Sequence, residues 1–274
     1  MTFSIVARDG AQWGVAVASK FLAVGAYVPA ARAAAGALAT QAMANLAYKA
    51  DGLALLAEGR EAAAVVAALT APDDERDHRQ VGVVASGTAA SFTGAKCIPW
   101  AGHRTGDDYA IQGNCLTGPE VVEAAEKALN AATGPLARRL FAALEAADEA
   151  GGDKRGRQSA ALLVVEAAGG YGGGSDVLLD LRVDDAARPV PELARLLDLH
   201  DLYFGKPDPA TLIPLDEVRD EIAALLGTLG YDGADAWREW VGTENYEERD
   251  VPGAVDPLVL GKLREQAGAA RTGA

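Results

Sequence analysis

Thr2 stands directly behind Met1 and runs straight into the apolar, β-branched stretch TFSIVA. If Met1 is trimmed, one residue carries both a hydroxyl nucleophile and a free α-amine that can serve as its base. The ordinary pKa of that amine, roughly 7.7–8.0, suits a proton acceptor near neutrality. A strand that begins at once would hold the amine in place, and Ser4, two residues on, shares its face. The competing reading is that Thr behind Met has no role.

Further candidates sit at strand ends. Lys20 closes GVAVASK and could lower the pKa of a nucleophile or bind a substrate carboxylate; Ser19 beside it is the other half of a Ser–Lys dyad. Gln41 in ATQAMAN, Gln112 and Asn114 in IQGNCLTG, and Gln158 and Ser159 in GRQSAALL bring amides and a hydroxyl to such ends, where they can bind substrate or an oxyanion. Gly113 would let the backbone approach closely. The glycine-rich GGYGGGSD is followed by a strand and no phosphate-loop lysine, so it reads as a mobile loop rimming a site, with Ser175 and Asp176 at its base. IPWAGHR groups Trp100, His103 and Arg104 in a packed loop or a recognition loop over a small substrate. Asp153, Arg155 and Arg157 read as a solvated turn, and Cys97 and Cys115 as small core residues.

Composition narrows the chemistry. The 274 residues are 50% hydrophobic, with net charge −14. An acidic surface repels phosphate backbones, so no nucleic-acid partner is expected. The three histidines, His78, His103 and His200, show no metal-ligand spacing, and the two cysteines form no metal or disulfide pattern, so no metal and no cofactor are expected. No run of eighteen apolar residues occurs, so no membrane span is expected. The start of the chain lacks a basic n-region and a cleavage site, and the expected location is cytoplasmic.

These candidates need elements to carry them. Residues 2–7 and 14–18 alternate around Asp9-Gly10 and predict a hairpin. GALATQA (36–42) reads as a buried strand, and two short helices follow, broken at Gly59 and ended before Pro72. A second hairpin turns at Gly87 and Thr88, and DYAIQGN is a further strand. Two helices open at Pro119 and Pro135, with Val122, Ala125 and Leu129 and then Leu136, Leu140 and Leu144 as their apolar stripes. SAALLVVEA and DVLLDLRVDD are strands. A helix from about Pro191 to Phe204 puts Leu193, Leu196, Leu197 and Phe204 on one face. Strands in antiparallel pairs and helices in pairs predict layered α+β architecture, two sheets with helices outside. FGKPDPATLIP then reads as a linker. From Lys206 on, fourteen acidic against seven basic residues supply −7 of the charge. The expected division is 1–205 and an acidic helical appendage 206–274, with a disordered AGAARTGA end. Trp237 and Trp240, three apart on a helix, would pack on the main domain or between two copies, or stack on sugars.

TFSIVARD, GVAVASKFLAVG, ATQA, QVGVV, FTGAKCIPWAGH, QGNCLTGPEVV, GRQSAALLVV and GGYGGGSDVLLDLRVDD, in that order, resemble an uncharacterised bacterial family, the domain of unknown function numbered ten-twenty-eight, assigned to the Ntn-hydrolase-like superfamily. The resemblance runs from Thr2 to about Phe204. The tail, with AWREWVGTENYEERD, is similar to an extension labelled peptidoglycan-binding. The resemblance implies a four-layer αββα sandwich in which the first residue of the mature chain is the nucleophile and its own amine the base. It departs from proteasome-type subunits, which carry an Asp where Ser19 or Lys20 stands and a Lys near Gln41. The expected function is an amidohydrolase of a small amide, with Thr2 attacking, Lys20 tuning it and Asn114 with backbone amides meeting the oxyanion. The alternative is a non-catalytic binding protein whose tail docks a polymer such as peptidoglycan. Peptidoglycan carries carboxylates of its own, so the acidic tail argues against that partner, and a homodimer through the tail is expected instead.

Overall fold

A computed structural model describes residues 2–272. Met1, and with it the question of its removal, lies outside the described residues, as do the last two positions of the chain.

Two compact units divide at Leu196 and Leu197. The first opens with β1 (Thr2–Asp9) and β2 (Gln12–Ser19), joined by a tight turn in which Gly10 takes a positive φ of 55°. One helical turn, α1 (Val24–Tyr27), leads to β3 (Pro29–Arg32) and β4 (Gly36–Ala42). The helices α2 (Ala47–Ala57) and α3 (Ala62–Thr70) follow, and Gly59 with φ 79° breaks the path between them. Next come the hairpin β5 (Arg79–Ala85) and β6 (Thr88–Thr93), then β7 (Gly102–Thr105) and β8 (Tyr109–Asn114). The helix pair α4 (Glu120–Ala131) and α5 (Leu136–Glu149), the strands β9 (Ser159–Val165) and β10 (Val177–Val183), and α6 (Pro189–Phe204) complete the run.

These strands make two antiparallel sheets. One has the order β10-β9-β2-β1-β8-β7, the other β3-β4-β5-β6. Their inner faces pack on each other, with β1 against β4 and β8 against β5. α4 and α5 cover the outer face of the larger sheet, and α2 and α3 that of the smaller one, giving four layers, αββα. Strand alternation explains the layering, because β1 sends Phe3 and Ile5 to one face and Thr2, Ser4 and Val6 to the other. At one end the inter-sheet layer is apolar, with Val6, Val15, Val17, Ala37, Ala39 and Val84. At the Thr2 end it is polar.

The sequence misses β3 and β7, each of four residues and neither strongly alternating. It also overstates the stripe of α6: Leu193 and Leu197 are buried, but Phe204 is exposed. The glycine-rich loop is corrected in place. Ser159 pairs with Ser19 at the Thr2 end of the sheet, whereas Val165, at the other end of β9, pairs with Val177 just after the loop. Ser175 and Asp176 therefore lie about 20 Å along the sheet from Thr2, six residues at about 3.3 Å each. They bond within their own loop, to Val177 and Ala168.

The second unit has its own core. The final turns of α6 join α7 (Leu215–Thr228), α8 (Ala236–Thr243) and α9 (Pro257–Thr272), with a two-residue pairing of β11 (Ile213–Pro214) and β12 (Ala254–Val255). Leu202, Ile222, Trp240, Val259, Leu260 and Leu263 are central to it. The division precedes the proline-rich stretch because Leu202 belongs to this core and because the buried Arg249 donates to the carbonyls of Leu202 and Asp201 while pairing with Asp256. Residues 267–272, expected to be disordered, continue α9, with Ala267 buried. The tryptophans also differ from expectation. Trp240 is fully buried and donates to Gln266 at 2.8 Å; Trp237 is half-buried against it, 5.5 Å between ring centroids, and donates to Asp250. Both build this unit's own core, and Trp240 leaves no face exposed.

Trp240→Ala should cost this unit about 3–5 kcal/mol, as for other large aromatic truncations in cores. Thermal unfolding followed by tryptophan fluorescence checks it; an unchanged melting profile would take Trp240 out of the core's energetics.

Candidate active site

The polar end of the inter-sheet layer is built from short strand segments that place an amide or hydroxyl where an apolar residue would otherwise stand. Thr2 pairs with Asn114, and Ser4 with Gln112, across β1 and β8. Gln41 pairs with Gln80 across β4 and β5. Facing one another, these side chains form one network. The Ser4 hydroxyl donates to Gln41 Oε1 at 2.7 Å, and Gln112 Nε2 donates to Ser4 Oγ at 2.6 Å. Gln41 Nε2 donates to Gln80 Oε1 at 2.7 Å and to the Thr2 carbonyl at 3.2 Å. Asn114 Nδ2 donates to Gln80 Oε1 at 2.9 Å and reaches the Thr2 carbonyl at 3.5 Å. Gln80 Nε2 in turn donates to the Gly113 carbonyl and to Thr93 Oγ1, which bonds His103 Nδ1 at 2.9 Å. A Cβ on Gly82 would fall 1.9 Å from Gln112 Oε1, so the network needs glycine there.

At the edge of this network the Thr2 hydroxyl, 4% exposed with its residue, lies 3.0 Å from the Ser19 hydroxyl. Thr2 is also part of the lining of a cavity of about 230 Å³. One wall is Phe21, Val24, Tyr27 and Val28; the other is Gln41, Ala42, Ala44 and Leu46. Each wall is fastened from behind. Ser159 Oγ accepts from the Val24 N–H at 3.0 Å and donates to the Phe21 carbonyl. Behind the other wall, Asp73 accepts from Asn45, from the Tyr48 hydroxyl at 2.7 Å and from Arg79 Nε at 3.1 Å, while Arg79 also donates to the Met43 carbonyl. The Tyr48 hydroxyl bond, with those from Arg79 and Asn45, outweighs the burial of Asp73 and holds its carboxyl well below the usual range. Ala23, just before α1, and Ala42 and Cys115, at the ends of β4 and β8, have positive φ values of 52°, 72° and 53°, strained for residues with a Cβ.

Thr2, Ser19, Gln41, Gln112, Gly113 and Asn114 thus come together, with His103 joined through Thr93. The amide of Asn114 is directed at the Thr2 carbonyl and Gln80, which makes it a support for Thr2. Lys20 is not brought in: it is exposed, and its backbone N–H donates to Asp153 at 2.9 Å. Consecutive residues at a strand end face opposite ways, so Ser19 turns inward without Lys20 and the dyad does not form. Gln158 bonds Asp185 away from the site. Asp153 is buried and clamps the end of β2 together with Arg155, contrary to a solvated turn. Gln80, Phe21, Tyr27 and Leu46 escape the sequence reading; the signal for Gln80 was a further amide beside an apolar strand run, QVGVV, as Gln41 stands beside GALAT. Among the described residues no group of three His, Cys, Asp or Glu is arranged to hold a metal ion, and no helix is long and apolar enough to cross a membrane.

The family model described as "Family of unknown function (DUF1028)" matches residues 2–193, and one described as "Putative peptidoglycan binding domain" matches residues 203–263. Among solved structures the chain is similar to the crystal structure of protein SPO2555 from Silicibacter pomeroyi, itself assigned to DUF1028, with 31% identity and a TM-score of 0.66 over 73% of this chain and 89% of that one. BPH of Thiobacillus denitrificans in complex with epoxomicin aligns at 14% identity and a TM-score of 0.35, over 60% of this chain and 98% of that one. No protein of curated function matches.

Two outcomes follow from this geometry. Gln80→Leu leaves Gln41 and Asn114 without their shared acceptor and should cost about 1–3 kcal/mol for each buried group orphaned; urea unfolding measures it, and a loss under half a kilocalorie would mean the network relaxes around the gap. Asp73 has a lowered folded-state pKa, so its contribution is present above its unfolded pKa of about 3.9 and is lost as the pH falls toward the folded value. Asp73→Asn should flatten the acid limb of the stability curve below about pH 4; the same acid sensitivity in both proteins would assign that limb to other carboxylates.

Proposed function

The chain belongs to the DUF1028 family, and we propose that this member is an amidohydrolase with Thr2 as an N-terminal nucleophile acting on a small amide. The observation that carries the reading is the Thr2 hydroxyl, buried at the first residue of β1 and held against Ser19 Oγ at 3.0 Å, in a residue that lines a cavity. In the proposed reaction Met1 is absent. Thr2 Oγ bonds to the carbonyl carbon while its proton passes to the Thr2 α-amine. That proton then goes to the leaving nitrogen as the C–N bond breaks, leaving an ester on Thr2. Water, deprotonated by the same amine, attacks the ester and releases the acid, and the proton returns to Oγ. Ser19 holds the hydroxyl in line. Gln41 and Asn114 grip the Thr2 carbonyl, so that nucleophile and base cannot rotate away from the substrate; that is the positional advantage of a fixed near-attack geometry. Lys20 has no step in this scheme.

A second reading is supported by one observation, the peptidoglycan-binding model over residues 203–263. Under it the second unit docks the whole protein on a polymer. Saturable retention of the full chain on purified peptidoglycan would favour that reading, and no retention at any salt would remove it.

The mature protein should begin at Thr2, as intact mass reads directly. Thr2→Ala should fold normally and lose several orders of magnitude in amide hydrolysis, and Thr2→Ser should retain part of the rate. Activity in protein that keeps Met1, whose acylation of the Thr2 nitrogen removes the base, would sink the mechanism.

A further inference from the structure

No side chain lining the cavity beside Thr2 carries a charge. Gln41 offers it no free hydrogen-bonding group: its Oε1 is spent on Ser4, and its Nε2 on Gln80 and the Thr2 carbonyl. The other side chains of the lining are the Thr2 hydroxyl, which is bonded to Ser19, the Tyr27 phenol and hydrocarbon. Phe21 and Tyr27 meet edge to face, 5.4 Å between centroids, and both stay nearly half exposed, as does Leu46 on the opposite wall. Large apolar groups left in water around a concave site are surface that an apolar ligand would cover. The space is also the right size. Its 230 Å³ exceeds the roughly 150 Å³ of an apolar cavity that accepts benzene. A carboxylate placed there would lose its hydration and meet no side-chain cation; the Thr2 α-amine must be unprotonated to serve as the base, Lys20 and Lys49 do not line the cavity, and Lys49 Nζ is bonded to the Ala26 carbonyl at 2.9 Å.

Resting on the reading of Thr2 as nucleophile, we infer that the amide presented to it carries an uncharged, apolar acyl group, about the size of a benzyl or isobutyl substituent on the acyl side, and that carboxylated acyl groups are rejected. The walls on Phe21, Tyr27 and Leu46 select it.

The test uses the full-length protein and three β-lactones that differ only in the substituent beside the carbonyl: benzyl, isobutyl and carboxymethyl. Attack by Thr2 Oγ forms an ester, breaks the ring C–O bond and passes the hydroxyl proton to the released alkoxide, and intact mass follows the adduct. Benzyl and isobutyl lactones should acylate about 100-fold faster than the carboxymethyl one, the scale of discrimination available to an apolar pocket facing a charge. Leu46→Lys, at the exposed mouth, should narrow that ratio about tenfold by supplying a cation. Equal rates for the three lactones, or a ratio unmoved by Leu46→Lys, would overturn the selectivity. A second measurement separates the two readings. In Thr2→Ala, calorimetry should show 3-phenylpropanamide binding more tightly than succinamate. If no lactone acylates wild-type Thr2 while that preference holds, the nucleophile reading fails and the acyl class stands; if the preference is absent, the acyl class fails whatever Thr2 does.

Discussion

The arrangement around Thr2 depends on a buried network of uncharged amides between two sheets. An amide buried without partners is costly, so each glutamine must be met on the facing strand. Gln41 and Gln80 pair within one sheet, Asn114 reaches Gln80 across the layer, and Gln112 is met by Ser4 beside it and by Ser91 opposite. The consequence is a fixed register, since a slip of one residue in β1 or β4 would turn Ser4 or Gln41 to the outer face and orphan the others. The same network sets the exclusion at Gly82 and holds the Thr2 carbonyl from two sides. Polar and apolar halves of one interior thus divide the work: Val6, Val15 and Val17 hold the sheets together, and the amides position one residue.

Much of this was legible from the chain. Alternation in TFSIVARD and QWGVAVAS fixes which residues of the first hairpin face inward, and the Gln41, Gln112 and Asn114 candidates share strands with apolar neighbours, so their inward direction follows from period two. The glycine and proline punctuation places the paired helices on each outer face. The failures are of another kind. β3, PAAR, and β7, GHRT, have too little alternation to be read as strands, and exist because a neighbour offers its edge. The glycine-rich loop follows a site-bearing strand directly, yet it leaves from the strand's far end, and sequence proximity does not tell the two ends apart. Lys20 is expected near Thr2 because it follows the strand that pairs with β1, and the pleat sends it the other way.

The second unit shows how a charged sequence can still make a core. Its excess of carboxylates stays on the surface, while Arg249 and Asp256 form a buried pair whose remaining donors reach the carbonyls at the end of α6. Removing one partner would leave a buried charge uncompensated, which is far costlier than losing an exposed pair. Tyr203 stacks on Tyr246 beside this pair, and burial together with nearby ionisable groups, chiefly Tyr203, pushes the Tyr246 hydroxyl up to about 12.

The half-polar interior of the sandwich also has a thermal signature. Exposing apolar surface on unfolding raises the heat capacity, and exposing polar surface lowers it. A layer in which glutamine and asparagine take the place of valine offsets part of the usual increment for its size. Its free energy of unfolding therefore curves less with temperature than that of an all-hydrocarbon sandwich of the same length, and the geometry around Thr2 keeps its stability over a broader range toward the cold.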